Sequence, residues 1–114
     1  MLIRITLKFC AIFPCLVFCQ LAYSLSVEEA KDKANQVCAA CHGKDGVNAV
    51  LPSYPILAGQ HADYLNQALM DYKSGARKNA VMAGIAGTLS KSEMLGLANY
   101  FASLPSPLNV KRRQ

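Results

Sequence analysis

The chain has 114 residues, enough for one small domain, and it carries no internal repeat. Its formal charge of +5 raises the question of a nucleic-acid partner, but Lys111, Arg112 and Arg113 supply three of those positive charges at the extreme tail. The body is near neutral, so the basic balance describes a solvated tail and excludes nucleic acid as the expected partner.

Residues 1–24 read as a secretory signal. Arg4 and Lys8 precede an apolar run from Phe9 to Ala22, and the small residues Ala22 and Ser24 follow, with cleavage expected between Ser24 and Leu25. The alternative is a retained membrane anchor, although the run falls short of the ~20 apolar residues of a spanning helix. A lipoprotein-type cut before Cys19 would place Phe18 where that signal prefers a small residue. Cleavage near Ser24 removes Cys10, Cys15 and Cys19 together with two positive charges, leaving +3 and only Cys38 and Cys41 of the 5 cysteines. No disulfide framework is then available beyond that one pair. The remaining chain of about 90 residues is near the size at which a core needs help from a metal, crosslink or cofactor.

Ser26 and Glu29 form a capping box that predicts the start of a first helix. Its apolar positions, Val27, Ala30, Ala34, Val37, Cys38 and Cys41, recur at three and four residues and so share one face, turning both cysteines towards the core. From Gly43 to Gly59 the periodicity gives way to glycines and to Pro52 and Pro55, which predicts a loop. A second helix follows over "HADYLNQALMDYKSG", with Tyr64, Leu65, Ala68, Leu69 and Tyr72 as its stripe and Gly75 as a left-handed stop. The segment "ARKNAVMAGIAGT" contains glycine and no evident cap, and reads as a loop or frayed stretch around Met82. The last helix has Ser90 and Glu93 as a capping box, Leu89 and Met94 as a hydrophobic staple, Met94, Leu97, Ala98, Phe101 and Leu104 as its stripe, and Pro105 as its stop. No segment alternates as a strand does, so the fold class is all-α, with a domain over 25–105 and a disordered basic tail over 106–114.

"VCAACHGKDG" carries the chemistry, because Cys38, Cys41 and His42 form a C-x-x-C-H motif. A thiol oxidoreductase would place such a pair after a strand, at a helix start where the thiol is acidified, and this pair ends a helix. Structural zinc needs four ligands, while the exported chain offers only Cys38, Cys41, His42 and His61, two of them consecutive. Covalent haem attachment accounts for all three residues. The cysteines lie one helical turn apart and reach the two vinyl groups as thioethers, and His42 becomes the proximal iron ligand. Export is consistent with this reading, because bacterial c-type haem is attached outside the cytoplasm, where idle thiols would not persist. For the sixth position the candidates are Met70, Met82, Met94 and His61. Met94 is already a staple, Met70 lies off the main stripe of its helix and His61 opens that helix. Met82, in the inter-helical segment, is the favoured ligand.

Taken in order, "CAACHG", "PILAGQHADYL", "YKSGARKNAVMAGIAGTLS" and "LANYFASLP" resemble the class I cytochromes c, in particular the small bacterial type found singly or as one repeat of tandem dihaem proteins. The likeness runs from about Ser26 to Pro105. It implies three to five helices wrapped around one haem c, bound through Cys38 and Cys41 with His42 and Met82 as axial ligands. It also implies that the carbonyl of Pro55 holds the imidazole N–H of His42, that Arg77 reaches a haem propionate, and that the first and last helices cross with Val37 and Ala34 near Leu97 and Phe101.

The function expected from this set is a periplasmic, monomeric one-electron carrier with no catalytic residues. Its partners would be a quinol-oxidising complex or dehydrogenase on one side and an oxidase or reductase on the other, and it would meet the membrane only through membrane-bound partners. Lys44, Lys73 and Lys78 are candidate rim charges that steer encounter. The alternative is a haem subunit or small-ligand sensor tightly associated with one enzyme.

Overall fold

The computed structural model describes residues 25–108. It forms five helices, α1 Val27–Val37, α2 Ala39–His42, α3 Ala62–Ser74, α4 Ala80–Thr88 and α5 Lys91–Ser103, with no strand among the described residues. The expected signal segment lies outside the described residues, as does the tail beyond Leu108.

Both predicted capping boxes form. The backbone N–H groups of Ser26 and Glu29 are answered by Glu29 Oε2 at 2.9 Å and Ser26 Oγ at 3.3 Å. At α5 the Ser90 N–H reaches Glu93 Oε2 at 2.8 Å, and the Glu93 N–H reaches Ser90 Oγ at 3.2 Å. Each box satisfies two donors that the helix itself cannot. Gly75 ends α3 in the left-handed region.

α5 is the centre of the molecule, with α1 and α3 packed against it and α4 carried on α3. Ala30 and Ala34 of α1, Leu65 of α3, Leu89 beside the α5 cap, and Met94, Leu97, Ala98, Tyr100 and Phe101 of α5 form one buried cluster. Small residues let α1 and α5 approach: a Cβ at Gly96 would lie 3.6 Å from that of Ala30. The crossing brings Ala34 into the cluster with Leu97 and Phe101, but Cys38 packs against it while Val37 is only half-buried.

Four sequence-based expectations need correction. The first helix does not run through the motif. It ends at Cys38, whose φ of −109° closes α1 and opens the separate turn α2. Val27, placed on the buried stripe, is 71% exposed, because Leu25 folds back beside Gly96 and covers that end of α5. Tyr64, placed on the α3 stripe, is also exposed, its hydroxyl turned to Arg77. Finally, the segment around Met82 is a helix, α4, capped by Asn79. Its alanines favour helix, and Gly84 and Gly87 are tolerated because their missing side chains would face open space.

An ion pair ties α1 to α5 beyond the apolar contact, with Lys33 Nζ 2.8 Å from Glu93 Oε1. That ammonium, followed by the hydrogen bonds from Ser90, holds the Glu93 carboxyl down at about 2. Because the folded value is depressed, its contribution is fully present above the ordinary value near ~4.3 and is lost as pH falls through about 2. Both side chains keep some solvent contact, so the contribution is discounted to roughly 1–2 kcal/mol. Glu93→Gln keeps a capping amide and removes the charge. Urea unfolding should show the variant less stable at pH 7, with the gap closing as pH approaches about 2. A gap independent of pH would remove the ion pair as its source.

Candidate functional site

The cysteine motif occupies the short turn after Cys38. The His42 N–H donates to the Cys38 carbonyl at 3.0 Å and the Gly43 N–H to the Ala39 carbonyl at 3.0 Å, so local backbone bonds fix Cys38, Cys41 and His42 relative to one another. The following loop folds back over this turn. The Val50 N–H reaches the Cys41 carbonyl at 3.0 Å, while the Gly46 carbonyl accepts from Leu57 N–H at 2.8 Å and Ala58 N–H at 3.1 Å. Gly59 N–H then donates to the Phe101 carbonyl at 2.9 Å, anchoring the loop on α5.

This fold-back brings His42 and Pro55 together across 13 positions of sequence. His42 is buried at 7% exposure, and its Nδ1 lies 3.0 Å from the Pro55 carbonyl oxygen. A carbonyl only accepts, so Nδ1 is the protonated nitrogen and Nε2 keeps its lone pair for an outside electron-pair acceptor. The Tyr54 ring lies beside the imidazole, centroids 6.0 Å apart and tilted by 44°.

Cys38 and Cys41 are both free and half-buried. Burial, with the neighbouring Cys41 adding to it, pushes the Cys38 thiol up to about 11. An oxidoreductase needs the opposite, a thiol acidified towards neutrality. Among the described residues no three His, Cys, Asp or Glu side chains gather where a metal ion would be held by them alone. Two thiols one turn apart and a buried imidazole with a free Nε2 are a donor set that fits a covalently attached, iron-containing macrocycle.

The four sixth-ligand candidates have different surroundings. Met94 is sealed in the core at 2% exposure. Met70 is exposed, and its sulfur accepts from Asn66 Nδ2 at 3.6 Å on the same helix. His61 is the N-cap residue of α3 and makes no side-chain cap bond. Met82 is half-buried in the first turn of α4, with its N–H held by Asn79 Oδ1 at 3.0 Å.

The basic residues divide as well. Arg77 Nη1 donates to the Tyr64 hydroxyl at 3.3 Å, and its guanidinium carbon sits 5.0 Å from the centroid of Tyr72. Lys73 Nζ donates to the Leu89 carbonyl. Lys44 and Lys78 are exposed. Sequence reasoning missed Tyr54, Asn79 and Gly46. Asn79 had a legible signal, an N-cap residue type immediately before an alanine-rich run. Tyr54 and Gly46 had none, because their partners His42 and Phe101 come from other elements.

The cytochrome c family model matches residues 27–105, which is α1 through α5. Cytochrome c4 of Thiocapsa roseopersicina is 48% identical over 73 residues, covering 64% of this chain and 37% of that one. The thiosulfate dehydrogenase electron acceptor of Stutzerimonas stutzeri is 40% identical over 74 residues, covering 65% of this chain and 34% of that one. The solved cytochrome c4 of Acidithiobacillus ferrooxidans superposes with a TM-score of 0.65 at 34% identity, covering 71% of this chain and 51% of that one. The chain thus spans about a third of the length of those two curated relatives. With the match running from the first helix to the last, the chain belongs to the cytochrome c family, the class I electron-transfer haemoproteins.

Proposed function

We propose that the protein is an exported, periplasmic one-electron carrier that holds one haem c through Cys38 and Cys41, with His42 and Met82 as axial ligands. The observation that carries this reading is the hydrogen bond from His42 Nδ1 to the Pro55 carbonyl. It orients Nε2 as a fixed donor beside two free cysteines. Haem, when bound, supplies a one-electron ferric–ferrous couple.

The chain's own residues account for the rest. The two thiols would be consumed as thioethers, each adding its S–H across a vinyl group, which explains why an exported C-x-x-C pair has no disulfide role. The Met82 thioether is soft and would favour ferrous iron, and as a ligand it would deny oxygen and peroxide a site. Among the methionines elimination supports Met82, since Met94 is sealed in the core and the Met70 sulfur is engaged by Asn66. Residues 1–24 carry the export reading, and no helix among the described residues is long and apolar enough to cross a membrane.

The electron source would be a quinol-oxidising complex or a dehydrogenase and the sink an oxidase or reductase. A second reading, a haem subunit dedicated to one enzyme, draws on a relative named as the cytochrome subunit of a sulfide dehydrogenase, 38% identical over 68 residues. Stable co-purification with a dehydrogenase would favour it over a diffusing shuttle.

Absorption spectra of the periplasmically matured protein, oxidised and reduced, test the ligand set. Met82→Ala is expected to abolish the sulfur-to-iron charge-transfer band, lower the reduction potential and open the ferrous protein to carbon monoxide. Survival of the band would move the ligand elsewhere.

A further inference from the structure

α4 has little to hold it in place by itself. Its nine residues, AVMAGIAGT, carry no charge and include Gly84 and Gly87. A helix of this length is marginal alone, and each glycine weakens it further. Only Ala86 among its residues is buried, and α3 is its principal packing partner. Two cations from the far end of α3 and its exit turn act on the two ends of α4. Lys73, in the last turn of α3, reaches across to the carbonyl of Leu89, immediately past the C-terminus of α4. That places an ammonium where the helix dipole and its last acceptors favour a positive charge.

At the other end, Arg77 ties the α3–α4 connector back onto α3. Its N–H donates to the Asp71 carbonyl at 3.0 Å, its guanidinium lies 5.0 Å from the Tyr72 ring centroid, and Nη1 meets the Tyr64 hydroxyl at 3.3 Å. Two residues on, Asn79 caps α4 through the N–H of Met82 itself.

We infer that Lys73 and Arg77 are positioning residues for Met82, bracing α4 from both ends so that the methionine sulfur is presented in one place. This rests on the reading of Met82 as the iron's sixth ligand and gives these two cations a task other than steering partners or meeting a propionate. Without either brace, α4 samples displaced positions on α3, and a competing ligand enters more readily. The α1–α5 crossing is untouched by either residue, so global stability changes little.

The test compares matured, haem-loaded wild type with Lys73→Gln, Lys73→Arg, Arg77→Gln and Met82→Ala. Three quantities are read: the imidazole concentration that half-displaces the sixth ligand of the ferric protein, amide hydrogen exchange over 80–88, and the thermal midpoint by far-ultraviolet dichroism. Lys73→Gln and Arg77→Gln should each lower the half-displacing imidazole concentration roughly five- to tenfold. They should also speed exchange in α4, while Lys73→Arg should restore most of the wild-type behaviour. Imidazole affinities within about twofold of wild type, with unchanged exchange in α4, would overturn the bracing role. So would an effect fully matched by a fall in the global midpoint. Survival of the charge-transfer band in Met82→Ala would overturn the ligand assignment instead, and α4 exchange in the cation variants would then report the bracing alone.

Discussion

Serine at both Cys38 and Cys41 is expected to eliminate covalently bound haem, so that no haem-staining band remains after denaturing electrophoresis of the periplasmically expressed protein. Each thioether needs a sulfur, and a serine hydroxyl is too weak a nucleophile to replace it. The loss should be of the link first and of the fold second. Cys38 packs against the central cluster with Leu97 and Phe101, and a hydroxyl there adds a polar group of similar size. Burying such a group costs about 1–3 kcal/mol if it finds no partner. The single variants should each keep one thioether and stain. Haem surviving denaturation in the double variant would overturn the assignment of both attachment sites. Titratable thiols in the exported wild type would favour an oxidoreductase, against the elevated Cys38 thiol.

Gly46→Val is expected to destabilise the loop strongly, because it drives a side chain against the α5 core. Gly46 has φ +67°, and a Cβ there would lie 2.9 Å from Phe101 Cδ1 and 3.2 Å from the Ala58 nitrogen. The left-handed backbone costs an L-residue about 1–2 kcal/mol, and forcing a side chain into a filled space about 1–3 kcal/mol more. The sum, roughly 2–5 kcal/mol, is a large fraction of the ~5–15 kcal/mol that holds an ordinary domain together. Because the Gly46 carbonyl also anchors Leu57 and Ala58, the damage should extend to the Pro55 carbonyl and hence to His42. Urea unfolding followed by both helix signal and haem absorption should show both transitions moved to lower denaturant. A loss under about 1 kcal/mol would mean that the loop relaxes away from Phe101 without consequence.

Much of this molecule is written locally. Ser26 with Glu29, Ser90 with Glu93, and Gly75 are signals confined to one helical turn, and each forms as read. The C-x-x-C-H motif is likewise contiguous, so the identity of the group it suits is legible without a fold. The α4 segment reads as a loop from its glycines and its lack of an evident cap. Asn79 as a cap and the packing on α3 outweigh the glycines, and the second of these lies outside the segment. Val27 and Tyr64 were misplaced for a related reason. Periodicity identifies a face, but the facing element determines where along that face burial ends, and here Leu25 and Arg77 occupy the margins.

By itself, then, the sequence determined the all-helical class, the starts of α1 and α5 and the trio Cys38, Cys41 and His42, because caps and motifs act over three or four bonded neighbours. The tertiary structure decided which nitrogen of His42 is free, by folding Pro55 back across 13 residues onto Nδ1. It also decided what Lys73 and Arg77 touch, by setting Leu89 at the end of α4 beside the last turn of α3 and by folding the α3–α4 connector back onto Tyr64. Those outcomes depend on contacts between elements distant in the chain, whose geometry exists only once α5 has gathered the other helices around it.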